Sequence, residues 1–378
     1  MKKAVIIIMM IFFLTGCAQP DSEDSEELSY YPESCRQYAE ESAYVPLNYT
    51  KQVGIWLPYM RFDELLKGKS EDEYRSSIAA FLDDSAAQGV NTVYYHAHPN
   101  GDAYYVSELF PRGESYDGGY DPLEIFLDEA HQRGMSVHGW LNPLRCQTEA
   151  QMESIPDSFI TKQWTKQPEK GYIKLVGDRW YLVPNHEEVR KLICDAADEL
   201  LTKYDLDGIH IDDYFYPTTD EDFDRAEFEA SRSSDLAQWR RDIVSTYVKS
   251  LYETVKTHGS HIRFGISPQG NITSDREKQF ADVELWSKGG YCDYIVPQIY
   301  YGFKNECCPF ERTLREWEAL TADGKVTLVA GLAAYKVGKD DKWAGETGID
   351  EWIDDPDIIT KQIKLVQSSS ADGYALYY

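Results

Sequence analysis

The chain is poor in positive charge. Its 38 Lys and Arg stand against 65 Asp and Glu, a formal charge of −27 over 378 residues. Nucleic-acid binding draws its main affinity from phosphates neutralised by basic groups, so this balance excludes that partner class. It equally disfavours electrostatic adhesion to an anionic bilayer. Long apolar runs are absent beyond residue 15, and a spanning helix needs about 20 apolar residues. The seven cysteines follow no zinc spacing. No glycine-rich phosphate loop follows the first strand pattern, where the chain reads PYMRFDELL. No cofactor is expected. What is plentiful is apolar content, at 42%, too much for a disordered chain. The length suffices for a large core without metal or disulfide staples. Tyrosine is the outlier at 28 copies. Its amphipathic ring suits either a pleated strand or a half-wet cleft.

The N-terminus reads as an address. Met1-Lys2-Lys3 precedes the apolar run AVIIIMMIFFLT at residues 4–15, the pattern of a signal peptide over residues 1–16. Leu14-Thr15-Gly16-Cys17 resembles a bacterial lipobox, which implies that Cys17 becomes the acylated first residue. Ala18 does not resemble the aspartate that retains such proteins at the inner membrane, so outer-membrane anchoring is expected. Membrane contact would then come from the lipid. Residues 18–29 hold five acids and no base, and residues 17–48 read as an acidic tether. Of the other cysteines, a link from Cys292 to Cys307 or Cys308 is open in an exported compartment.

From residue 49 onward, short β-rich runs alternate with amphipathic helical stretches. The runs are VGIWLPY (53–59), NTVYYHAH (91–98), MSVHGWLN (135–142), DGIHIDDYFY (207–216), RFGISPQG (263–270), DYIVPQIYY (293–301), VTLVAGLAAY (326–335) and DGYALYY (372–378). Helices are predicted over 72–88 and 186–203, with Asp121-Pro122-Glu124, Asn185-Glu188 and Asp355-Pro356 as start signals. Eight strands alternating with helices predict an α/β fold, a (β/α)₈ TIM barrel over 49–378. The chain ends at Tyr378 without an eighth helix. Either residues 30–50 cover that gap or the barrel closes imperfectly. Residues 99–120 and 143–184 are long aromatic loops at the end where barrel enzymes carry their sites.

Strand alternation places the candidate chemistry. In Asp207-Gly208-Ile209-His210-Ile211-Asp212-Asp213-Tyr214, Ile209 and Ile211 face outward, leaving His210, Asp212 and Tyr214 inward. An inward acid at a strand's end is costly unless paired or working, so Asp212 is the central carboxylate. Acid–base chemistry commonly pairs two carboxylates, and Asp102 and Asp213 are the candidates for the other, with Glu114 as a further option. His96, His98, His138, Trp140, Asn142, Gln269, Gln298, Tyr300, Tyr335 and Lys336 are expected to join His210 and Tyr214 as substrate-binding groups. Amides, phenols and indoles converging on one barrel mouth suit polyhydroxylated rings, and a polysaccharide is the expected partner.

The segments VYYHAHPNGDAYY, DPLEIFLDEAHQRGMSVHGWLNP, VRKLICDAADELLTKYDLDGIHIDDYFYP, ISPQGN and DYIVPQIYYG resemble the glycosyl-hydrolase-like 10 family over about residues 50–378. The resemblance implies an exported barrel. Through a lipoprotein branch of the family, it also implies cleavage of peptidoglycan glycan strands stripped of their peptides. The DGIHIDD frame is also similar to the fourth-strand motif of family-18 chitinases. There Asp207 and Asp212 match, but His210 replaces an aspartate and Tyr214 stands in place of the catalytic glutamate. The chitinase acid is therefore not carried over.

Two other readings compete. A non-catalytic polysaccharide-binding lipoprotein on a degenerate barrel would explain Tyr214. A metal hydrolase would use His96 and His98, which alternation places on one side, but the ends of the fifth and sixth strands offer no further histidine. No metal is expected.

Overall fold

The computed structural model describes residues 44–212 and 214–378. Cys17 and the other expectations for residues 1–43, like Asp213, lie outside the described residues. Eight parallel strands form a closed barrel: β1 (Gln52–Leu57), β2 (Thr92–His98), β3 (Ser136–Leu141), β4 (Gly208–Ile211), β5 (Arg263–Ile266), β6 (Tyr294–Ile295), β7 (Thr327–Ala333) and β8 (Gly373–Tyr377). The order round the barrel follows the chain, and β1 meets β8 through Gln52↔Gly373 to Ile55↔Leu376.

Helices fill the crossovers, including α1 (Glu71–Ala87), α2 (Pro122–Gln132), α3 (Glu187–Lys203), α4 (Leu236–Thr257), α5 (Val283–Gly289), α6 (Phe310–Leu320) and α7 (Ile358–Gln367). Their starts obey local chemistry. Ser70 and Glu73 form a capping box on α1, and the Asp121 carboxylate accepts from the Leu123 and Glu124 amides on α2. The expected box at Asn185 does not form. His186 occupies the cap position of α3 without a side-chain bond, one residue later than predicted, and Asn185 Oδ1 faces the Tyr216 hydroxyl at 3.5 Å.

The barrel does not close imperfectly, because β1 and β8 pair directly. The described part of residues 30–50, the segment expected to cover a gap in the barrel, runs across its N-terminal end. There the buried Asp207 carboxylate accepts from the Tyr44 hydroxyl and the Leu47 amide as well as from Val137 N–H, and Tyr49 donates to the Gly134 carbonyl. The loop 143–184 contains a three-stranded antiparallel sheet of Arg145–Thr148, Ile173–Val176 and Arg179–Leu182. The Cys292 link is not made. Cys146, Cys194, Cys292, Cys307 and Cys308 are all free, and Cys292 and Cys307/Cys308 lie at opposite ends of β6.

The apolar core has two main parts, besides a small cluster of Ala333, Trp352 and Ile358. The larger lies between strands and helices; the smaller fills the lumen with Trp56, Tyr94, Trp140, Tyr294, Val296, Val329 and Ala375. Inward glycines make room for these rings. A Cβ on Gly265 would sit 1.9 Å from the Tyr294 ring, and one on Gly54 2.9 Å from Tyr94. No described helix is long and apolar enough to cross a membrane.

Candidate active site

A cleft of about 460 Å³ opens at the C-terminal end of the barrel. As alternation requires, Ile209 and Ile211 pack into the strand–helix core, while His210 turns into the lumen. Asp212, just past the end of β4 and 5% exposed, lines the cleft, as does Tyr214. From β2 and β3 come His96 and Trp140, whose rings stack 3.5 Å apart at 12°, with Asn142 beside them. Gln298, Tyr300 and Tyr335 close the other side. Tyr300 and Tyr335 pack on Tyr377, whose phenol is pushed up to about 12 by burial, with the Asp212 charge adding to it.

Several wall atoms have no partner among the described residues: Trp140 Nε1, His96 Nε2 and both side-chain polar atoms of Asn142. Burial and the nearby Arg145 charge hold His96 well below its usual pKa, so it is neutral at pH 7.

One turn of the pleat deeper, the polar groups close on themselves. Trp56 Nε1–H can only donate, and it donates to His210 Nε2 at 3.2 Å. Burial lowers His210 to about 3, so the ring is neutral and carries its proton on Nδ1, which faces the Tyr294 oxygen at 3.0 Å. Tyr294 then donates to His138 Nδ1 at 2.6 Å, leaving His138 Nε2–H for Ser136 Oγ at 3.1 Å. One N–H that cannot reverse sets the direction of the whole chain.

Other predicted residues lie elsewhere. His138 and His210 share the inward face but belong to this deeper layer, not to the cleft lining. A register shift between His96 and His98 breaks the alternation, and His98 points out among Phe110, Leu192 and Leu251 beneath the helices. The His96–His98 pair is therefore split between two sides of the sheet. Among the described residues no three His, Cys, Asp or Glu side chains gather as metal ligands. Asp102 is half-buried outside the cleft lining, accepts from the Asn100 amide at 2.9 Å, and is pushed up to about 6 by desolvation of its carboxyl. Gln269 pairs with Gln298 through a backbone bridge and does not line the cleft. Lys336 is held by Asp341 and the Tyr300 carbonyl, both at 2.8 Å. Glu114 is exposed and meets Gln151 at 3.4 Å.

Sequence reasoning missed Trp56, Tyr59, Met60, Arg145 and Tyr377 in the lining. Trp56 and Tyr377 lie on inward positions of β1 and β8, readable by the alternation used for β4. Arg145 comes from the small sheet, which no barrel periodicity marks.

The glycosyl hydrolase-like 10 family matches this chain over residues 52–345. Among characterised sequences, glycosyl hydrolase DigH of Escherichia coli (strain K12) is 30% identical over 304 residues, covering 71% of this chain and 69% of its own length. Glycosyl hydrolase YngK of Bacillus subtilis (strain 168) is 30% identical over 328 residues, 79% of this chain and 62% of its own length. Among solved structures, the α-L-fucosidase isoenzyme 2 from Paenibacillus thiaminolyticus superposes with a TM-score of 0.59 at 13% identity, over 86% of this chain and 46% of that one. The catalytic domain of the β-amylase from Paenibacillus polymyxa gives 0.54 at 8% identity, over 86% and 91%. At such identities the likeness concerns the barrel alone.

Proposed function

The chain belongs to the glycosyl hydrolase-like 10 family, and we propose that it is a lipid-anchored glycoside hydrolase. It cleaves glycosidic bonds of peptidoglycan glycan strands or of a related amino-sugar polysaccharide. The observation that carries this reading is a carboxylate, Asp212, lining an aromatic-walled cleft at the barrel end where such enzymes work. The Tyr300, Tyr335 and Tyr377 rings offer faces for sugar rings, and the open polar atoms of Trp140 and Asn142 offer directional bonds for hydroxyl and acetamido groups. Asp212 is the central catalytic carboxylate. Two-carboxylate chemistry needs a partner. We assign it to Asp213, next in sequence, because Asp102 does not line the cleft. Acylation at Cys17 would hold the protein at the outer membrane.

The test incubates the chain with intact and with peptide-stripped peptidoglycan and identifies new sugar ends by mass spectrometry. New ends from stripped strands are expected, and none with Asp212→Asn. One observation favours a second reading, a polysaccharide-binding lipoprotein without activity: Asp212 is the only Asp or Glu lining the cleft among the described residues. Retention of the strands without new ends would select it.

A further inference from the structure

We infer that Arg145 is the specificity-determining residue of this cleft, and that it takes a carboxylate carried by a sugar unit of the polymer. The inference rests on the glycan-cleft reading and sharpens its substrate class.

Among the described residues Arg145 is the one Lys or Arg in the cleft lining. Apart from the Asp212 carboxylate and the Met60 thioether, the rest of the wall is amide, phenol and indole, with His96 held neutral by burial and by the Arg145 charge. The cations nearest to it are held by groups of the protein. Lys336 sits on Asp341, and Arg179, on the adjacent strand of the same small sheet, is spent on Asn100 Oδ1 and the Cys146 carbonyl. Arg145 has no such partner among the described residues, and its buried Nε makes no hydrogen bond there. A buried donor left open is costly unless a ligand closes it.

The side chain is also oriented. Its Cζ lies 4.9 Å from the centroid of the Tyr214 ring, so the guanidinium is supported on one face and its edge is left to bind. A guanidinium edge matches a carboxylate through two parallel N–H···O bonds. A neutral amino-sugar polymer has nothing to fill that role. A polymer with one free carboxylate per repeat does, whether as the lactyl group of a muramic acid stripped of its peptide or as a uronic acid.

The experiment compares the full-length protein in detergent on three polymers: stripped glycan strands, the same strands with carboxyls reduced to alcohols, and a uronic-acid amino-sugar oligomer. Binding and cleavage are both read. Wild-type protein is expected to prefer stripped over reduced strands by about tenfold in Kd or KM, the scale of one charge-assisted bidentate contact. Arg145→Gln should erase that preference by raising KM with kcat little changed, and Arg145→Lys should restore part of it. Preference for the uronate oligomer instead would identify that source of the carboxylate, with the Arg145 assignment retained. Equal action of wild-type protein on parent and reduced strands overturns the assignment, leaves the hydrolase reading intact, and does not depend on how any variant folds. Neither binding nor cleavage of any of the three polymers would overturn the proposed function and the assignment together.

Discussion

The lumen of this barrel holds two polar layers made of the same residue types, and they differ in whether their hydrogen bonds close. In the deeper layer Trp56, His210, Tyr294, His138 and Ser136 hand one directed chain of bonds from ring to ring. In the upper layer His96 Nε2, Trp140 Nε1, the Asn142 amide group and Arg145 Nε are just as enclosed by protein, yet these atoms have no partners among the described residues, although His96 Nδ1 accepts from the Tyr59 amide. Burial depresses the histidines of both layers alike. Inward polarity in a barrel is therefore not by itself a site. A closed network fills and specifies the core, whereas an open one is a surface waiting for a ligand.

The largest expected effect tests the upper layer. Asp212→Asn should lower strand cleavage by on the order of 10³-fold or more, the scale of losing an acid–base or nucleophilic group, while the melting temperature stays within a few degrees. Retained cleavage in the folded variant would remove Asp212 from the chemistry. The next tests the deeper layer. His210→Leu leaves the Trp56 N–H and a Tyr294 lone pair open in the lumen, a loss of about 3 kcal/mol in urea unfolding. A stability equal to wild type would mean that the closed chain is not what holds this layer.

Asp102 separates the cleft lining from what lies outside it. Its folded-state value of about 6 stands above the ordinary 3.8. The stability it contributes is thus complete below pH 3.8 and lost as pH rises through 6, where a desolvated charge forms. Asp102→Asn cannot ionise. It should match wild type near pH 4 and exceed it by about 2–3 kcal/mol at pH 8, measured as denaturant midpoints across that range. A flat difference would show that the carboxyl is solvated after all.

The barrel was legible because alternation and spacing carry it, and the inward set on β4 followed from the same period. What escaped has local causes. The sixth strand, expected over 293–301, keeps ladder geometry only at Tyr294–Ile295, since Pro297 has no N–H to donate and pairing resumes as a bridge at Gln298. His98 was misplaced by a bulge that no sequence period announces. The depth of His138 and His210 was not readable either, because facing inward and reaching the mouth are different properties. Arg145 came from a sheet hidden in a loop, and it is the residue on which the specificity inference turns.

The smallest effect is the sharpest test of the comparison, because it applies one change to both layers. Trp56→Phe and Trp140→Phe each replace an indole by a benzyl ring at a lumen position about 95% or more buried. The lost apolar area is the same, but the lost N–H is not. At Trp56 it is paired, and its removal leaves His210 Nε2 as a buried acceptor without a donor, for about 1–3 kcal/mol. At Trp140 the N–H has no partner to orphan, so deleting it offsets part of the lost packing and the net change should stay below about 1 kcal/mol. Glycan affinity should move oppositely, falling more for Trp140→Phe if that N–H is kept open for substrate. Equal stability losses at the two positions would collapse the distinction between a closed core layer and an open binding layer, and with it the reason for placing the site in the upper one.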